Sequence, residues 1–202
     1  NNFLDFDKEQ FYGSNHSLFR WNKKITSLEI KEKLEALIID VPNFPKEGII
    51  FKDITPLLAE PGAINDVAIQ MASAFEGKNI NYVAGLEARG FIIGPSVANI
   101  LNAGFIPIRK SGKLPRATLK ATYQLEYGTE TLEIHKNSID EHKNNILIID
   151  DVLATGGTAR AASDLIMQCG GNIVGYSFLI ELQKLNGRKL LKNAPINSLF
   201  IL

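Results

Sequence analysis

The spacing of apolar residues changes several times along the chain, and each change marks an element. From Ile25 onward it is helical: Ile30, Leu34, Leu37 and Ile38 share one face. Thr26-Ser27-Leu28-Glu29 forms a capping box, with Ile25 and Ile30 placed as a hydrophobic staple. A second stripe, Ile64, Ala68, Met71 and Phe75, predicts a helix from about Pro61 to Phe75, with the proline in its first turn and Gly77 as its stop. Beyond it, short apolar runs alternate with helical ones. "NYVAGL" predicts a buried strand, "GFIIGPSVANILNAG" a helix ended by Gly104, and "FIPIRK" a strand. "NNILIID" follows as a strand, then a helix over about 157–169, then "NIVGYSFLIEL" and "NSLFIL" as strands around a polar turn with "GRKLLKN". Repeated strand, helix, strand with near-continuous apolar strands predicts an α/β fold, a parallel sheet covered on both faces. At residues 111–136 the pattern breaks, because "KATYQLEYGTETLEIH" alternates on both sides of Gly128-Thr129 and predicts an antiparallel hairpin.

Composition narrows the function classes. The 202 residues are 45% hydrophobic, enough for one sizeable core, and the expectation is a single domain over 25–202. Residues 1–24 carry no period and are set apart as an N-terminal extension of unknown role, with His16 and Trp21 assigned to surface or dimer packing. The 22 basic and 22 acidic residues cancel, which predicts neither a nucleic-acid partner nor a membrane-surface one. The one cysteine, Cys169, has no disulfide partner in the chain and is assigned to helix-end packing. No Cys/His cluster has metal-ligand spacing, no apolar run reaches the roughly 20 residues of a membrane span, and the cytoplasm is the expected compartment.

The densest chemistry lies in "ILIIDDVLATGGTAR", residues 146–160. Asp150 and Asp151 end a strand, where ligands of open parallel sheets bind. The glycine-rich turn after them leads into a helix, whose first amides and dipole favour an anion, and Thr155 and Thr158 add hydroxyl donors. No Gly-Lys-Ser/Thr follows and Gly-x-Gly-x-x-Gly is missing, so the turn is neither a triphosphate loop nor a dinucleotide fingerprint. Two carboxylates beside an anion cradle suit a sugar phosphate, whose hydroxyls donate to the acids. The same pattern also fits a plain strand-to-helix turn with a capping Asp.

This stretch resembles the phosphoribosyl-pyrophosphate (PRPP) signature of the type I phosphoribosyltransferases. Three further segments, "FPKEGIIFKDITPLL" at 44–58, "VAGLEARGFIIGPSVA" at 83–98 and "IPIRKSGKLPRATLKATYQLEYG" at 106–128, extend the resemblance over roughly 25–202 and toward the adenine-specific branch. The resemblance implies a twisted parallel sheet with helices on both faces, a small hood and a β-hairpin lid over about 110–136. It implies transfer of the 5-phosphoribosyl group of PRPP to adenine, giving AMP and pyrophosphate in purine salvage. The transition state would be oxocarbenium-like, Mg²⁺ would be held mainly through PRPP rather than by direct protein ligands, and the chain would form a homodimer.

Site roles follow from the resemblance residue by residue. Asp150 and Asp151 would contact the ribose and, with Glu126, form the catalytic group, Glu126 acting near the purine. Ala154, Thr155, Gly156, Gly157 and Thr158 would hold the 5-phosphate. Glu87, Ala88 and Arg89, a peptide often cis in the family, would face pyrophosphate together with Arg109, Lys110 and Lys113. Ile50, Phe51 and Lys52 would read and stack on adenine, although the family often has Arg where Lys52 stands. Tyr123 and Tyr127 would shape the lid, and His135 and His142 are assigned to the surface. Taken singly, Phe51 also reads as core, Arg89 as a helix start, Glu126 as an outward strand residue, and Lys110 and Lys113 as solvated charges. A PRPP-sensing regulator and a transferase for another base are the alternative functions. The first would carry an added basic DNA-binding segment, which 1–24 does not resemble, and "IIFKDIT" speaks against the second.

Overall fold

The computed structural model describes residues 27–124, 128–191 and 194–202. Expectations for residues 1–24, for Ile25 and Thr26, and for Glu126 and Tyr127 therefore lie outside the described residues.

Helix α1 (Ser27–Glu35) buries Leu34 and stops before Leu37 and Ile38, which pack on the core from the turn that follows. A two-stranded antiparallel hood comes next, β1 (Ile39–Pro42) with β2 (Ile50–Asp53), then a short helix α2 (Thr55–Ala59) begun by Pro56. The expected helix near Pro61 is α3 (Ala63–Ser73). It starts two residues later because Gly62 takes a left-handed φ of 83° as its N-cap.

The main sheet contains β3 (Tyr82–Leu86), β4 (Gly104–Lys110), β5 (Thr118–Gln124), β6 (Thr129–His135), β7 (Asn145–Leu153), β8 (Asn172–Glu181) and β9 (Ile196–Ile201), in the spatial order β5-β6-β4-β3-β7-β8-β9. Strands β4, β3, β7, β8 and β9 run parallel. The expected hairpin is present as β5 and β6, and it extends the sheet by pairing antiparallel with the end of β4, Arg109 opposite Glu133 and Lys110 opposite Leu132.

Two helices complete the α/β units, α4 (Gly90–Ile100) after β3 and α5 (Gly157–Gln168) after β7. Helix α4 ends earlier than expected. Asn102, at φ 52°, takes the left-handed place assigned to Gly104, while the Asn102 amide donates to the Asn99 carbonyl and that of Ala103 to Ala98. Gly104 instead opens β4.

Successive strand residues face opposite sides, which produces two cores. Val83, Leu147, Ile149, Leu179 and Phe200 pack with α1, α3 and α4; Ala84, Leu86, Ile146, Ile148 and Phe178 pack with α5 and the hairpin. Met71 and Phe75 are buried in the first, as expected. A fully buried apolar side chain of this kind contributes about 1.5–3 kcal/mol. The fold positions its site by connectivity: after β3 the chain moves to β4 on one side, and after β7 to β8 on the other. The carboxyl ends of β3 and β7, adjacent strands at this switch point, lie side by side where open α/β sheets form their ligand crevice.

Candidate active site

Strand β7 delivers Asp150 and Asp151 to that crevice, and β3 delivers Glu87, Ala88 and Arg89 opposite them. Asp151 is buried, and its backbone N–H donates to the Asp150 carboxylate at 2.9 Å. Arg89 brings Nε to 2.8 Å from Asp151 Oδ2, a close ion pair that lacks hydrogen-bond alignment, since the same oxygen has no aligned donor. Burial first, then the Asp151 charge, pushes the Asp150 carboxyl well above its ordinary range. Burial also raises Asp151, opposed by Arg89. Two adjacent acids in this setting hold a proton more tightly than free carboxylates do, or else call for a neighbouring positive charge.

Three residues beyond Asp151 the chain turns into α5. Gly156, at φ 86°, is the N-cap, and no side chain caps the helix. The first helical hydrogen bond runs from the Arg160 amide to the Gly156 carbonyl, which leaves the amides of Gly157, Thr158 and Ala159 outside the helix ladder. These donors and the dipole of a 12-residue helix give the turn of residues 154–158 and the start of α5 the chemistry to hold an anion. The hairpin reaches this turn: Thr158 Oγ1 donates to Tyr123 Oη at 3.2 Å, and Tyr123 donates to Glu130 at 3.0 Å. Burial and Glu130 push the Tyr123 hydroxyl up to about 12, against the lowering effect of Thr158.

The basic segment at the end of β4 converges on Glu87. Arg109 Nε approaches its carboxylate at 3.2 Å, the Lys110 amide donates to it at 3.1 Å, and the Lys113 ammonium pairs with it. Burial would raise Glu87, but Lys113, Arg109 and the Lys110 amide together hold it down to about 2. Lys110 pairs instead with Glu130 at 2.5 Å. The Glu87-Ala88 peptide is cis.

Phe51 from the hood is half-buried, meets Phe44 edge-on at 5.2 Å, and lies under the Arg89 guanidinium at 5.0 Å. It is not core. Ile50 is exposed, and Lys52 is tied to Asp40 at 2.6 Å. Arg89 thus links the acids of β7 to the aromatic of the hood.

Contacts thus join Asp151, Arg89 and Phe51, and separately Glu87, Arg109 and Lys113, while Thr158 meets Tyr123, Lys52 pairs with Asp40 and Lys110 with Glu130. Glu126 lies outside the described residues, and Cys169 is a half-buried free thiol at the end of α5. Glu133, missed by the motifs, is buried 2% exposed and accepts the Lys113 and Leu114 amides at 2.9 Å each, anchoring the loop after β4. Its only sign in the sequence was an acid amid the apolar positions of "TLEIH".

Residues 53–199 match the model of the phosphoribosyl transferase domain family. An adenine phosphoribosyltransferase of Koribacter versatilis is 52% identical over 168 residues, covering 83% of this chain and 92% of that protein. The chain belongs to the adenine phosphoribosyltransferase family. A crystal structure of the Rhodothermus marinus member superposes with a TM-score of 0.81 at 46% identity, covering 87% of this chain and 99% of that one. The Saccharomyces cerevisiae member, solved with D-2,5-dideoxy-2,5-imino-altritol 1,6-bisphosphate and adenine, gives 0.79 at 42% identity, covering 85% and 99%. Among the described residues no helix is long and apolar enough to cross a membrane.

Proposed function

We propose that the chain transfers the 5-phosphoribosyl group of PRPP to adenine, forming AMP and releasing pyrophosphate. The observation that carries this is the Asp150–Asp151 pair at the switch point, between the anion cradle at 154–158 and the cations gathered on Glu87. The bond from ribose C1 to pyrophosphate breaks, a bond from C1 to a ring nitrogen of adenine forms, and that nitrogen loses its proton. As the C1–oxygen bond lengthens, positive charge grows on the ribose, and the two carboxylates stabilise it. Glu126, assigned near the purine, is the group to manage the nitrogen proton.

The 5-phosphate would rest on the free amides at the start of α5, with Thr155 and Thr158 as hydroxyl donors. Arg109 and Lys113 would exchange Glu87 for the leaving pyrophosphate. Arg89, between Asp151 and Phe51, would take part in both halves of the site, and Phe51 would stack on adenine while backbone groups of Ile50 to Lys52 read its edge. Strands β5 and β6 would act as the lid through Tyr123. The donor chemistry fits Mg²⁺ carried in by PRPP, because Asp151, buried beside the half-buried Asp150, favours a nearby cation. Bound there, the ion would neutralise charge on the departing pyrophosphate.

A role in purine salvage in the cytoplasm and a homodimer complete the reading. The half-buried free Cys169 accords with a reducing compartment, and the apolar Ile92 and Ile100, exposed on α4, offer a face for a second copy. The sensor alternative gains nothing from the Koribacter, Rhodothermus and Saccharomyces relatives, which are named as transferases. Initial rates with PRPP, Mg²⁺ and adenine, hypoxanthine, guanine or xanthine in turn test the proposal. AMP formation with adenine far ahead of the other bases is expected. Binding of PRPP without any nucleotide product would overturn it in favour of the sensor.

A further inference from the structure

Against the glycine turn at 154–158 lies a second turn, which meets it through the backbone of Gly187. After β8 the chain makes a 3₁₀ turn at Gln183–Leu185, takes a left-handed φ of 54° at Asn186, and enters a second 3₁₀ turn at Gly187–Leu190. Gly187 is buried, and its backbone lies flat against the cradle. A Cβ on Gly187 would fall 2.3 Å from the Ala154 carbonyl oxygen and 3.0 Å from the Gly156 nitrogen. One on Gly156 would fall 2.5 Å from the Gly187 carbonyl oxygen. Each glycine leaves room for the other's backbone.

Arg188 ties this turn to the sheet. Its Nε donates to Glu181 Oε1 at 2.5 Å, and its other nitrogens donate to the Ile196 carbonyl at 3.1 Å and Ser198 Oγ at 3.4 Å. Ser198 donates in turn to Glu181 Oε2 at 2.6 Å. Glu181 is 4% exposed, and burial pushes it up while Arg188 and Ser198 hold it below the ordinary carboxylate range. Glu181 ends β8, and the next amide, Leu182, donates to the Leu153 carbonyl, directly ahead of the cradle. The ion pair is satisfied on both sides, so it fixes the turn to β8 and β9.

We propose that Arg188, held by Glu181 and Ser198, sets Gly187 as a backstop that shapes residues 154–158, making these positioning residues for the 5-phosphate that do not touch it. A glycine-rich loop has many conformations to lose, and amides must converge closely to hold a phosphate. A fixed wall behind the loop removes those conformations before the ligand arrives. The proposal rests on the assignment of 154–158 to the 5-phosphate.

The test measures PRPP and adenine KM, and ribose 5-phosphate Kd by calorimetry, for Gly187→Ala, Arg188→Ala and Thr158→Val in the full chain. Gly187→Ala and Arg188→Ala are expected to raise PRPP KM and ribose 5-phosphate Kd by roughly tenfold or more, with adenine KM held within about twofold. If Thr158→Val weakens ribose 5-phosphate while both other variants leave it unchanged, the backstop is refuted and the phosphate assignment stands. If no variant moves it, the phosphate assignment fails and the backstop with it. A parallel loss of adenine and PRPP affinity marks general damage and also overturns the proposal. Should Gly187→Ala not fold, Arg188→Ala decides alone.

Discussion

Glu87→Gln isolates the charge that gathers the cations of the site. The Glu87 carboxyl lies at about 2 against an ordinary 4.5, and by linkage that difference corresponds to at most ~3.5 kcal/mol of folded-state stabilisation. The Arg109 and Lys113 side chains are 33% and 46% exposed, so solvent screening reduces the expected contribution to about 1–2 kcal/mol. Its sign follows from a depressed folded value. The stabilisation is complete above 4.5, where the unfolded chain is ionised, and is lost as pH falls toward 2. Urea unfolding of the wild type and Glu87→Gln at steps from about pH 3 to 7 measures it. The wild type should lead by about 1–2 kcal/mol at neutral pH, and that lead should shrink by roughly half or more at the acid end. A lead that does not change with pH would refute the ionic origin, and no lead at any pH would refute the gathering role.

Asp150→Asn should cut turnover by at least about a hundredfold while leaving neutral-pH stability equal or higher. The Asp150 carboxyl is raised in the folded state, so its ionised form weakens the fold as pH rises above the ordinary carboxylate value, and the amide removes that effect; steady-state kinetics beside thermal melts at pH 8 check both halves. Asp151→Asn should likewise lose far more turnover than stability, and an equal loss of folding would make that acid structural. Phe51→Ala should raise adenine KM by roughly tenfold, in keeping with ~1–3 kcal/mol for base stacking on an aromatic ring, with PRPP KM little changed; a shift confined to PRPP would displace the base from the hood. Thr158→Val should raise PRPP KM by roughly tenfold or more, since a hydrogen bond to a charged group contributes about 1.5–3 kcal/mol, and unchanged kinetics would remove the hydroxyl from the phosphate site.

The strands were readable because β3, β7 and β8 are buried on both faces and leave near-continuous apolar runs. The end of α4 is ambiguous in the sequence because two residues can supply a left-handed φ, and in the structure Asn102 does so before Gly104 is reached. The hood left no periodic signal: Ile39 and Ile50 are apolar and exposed, so β1 and β2 match neither a half-buried strand nor a core one. Phe51 taken singly, a lone aromatic beside Ile49 and Ile50, reads as core; only the neighbouring residues mark it for the base, and only the fold brings Arg89 over its ring. At the crevice, residue types at fixed spacing carried the Asp150–Asp151 pair and the turn after it. Glu133 and Gly187 stayed hidden because their roles depend on backbone from elsewhere in the chain, the loop after β4 for one and the cradle for the other.

One crevice is expected to exchange pyrophosphate for adenine at ribose C1. Phosphorus NMR of a mixture of the protein, PRPP, Mg²⁺ and adenine follows both halves of that exchange at once. The pyrophosphoryl signals of PRPP should give way to free pyrophosphate in step with the rise of the AMP phosphate, one for one. Pyrophosphate released without AMP, or PRPP signals unchanged in the presence of adenine, would contradict it.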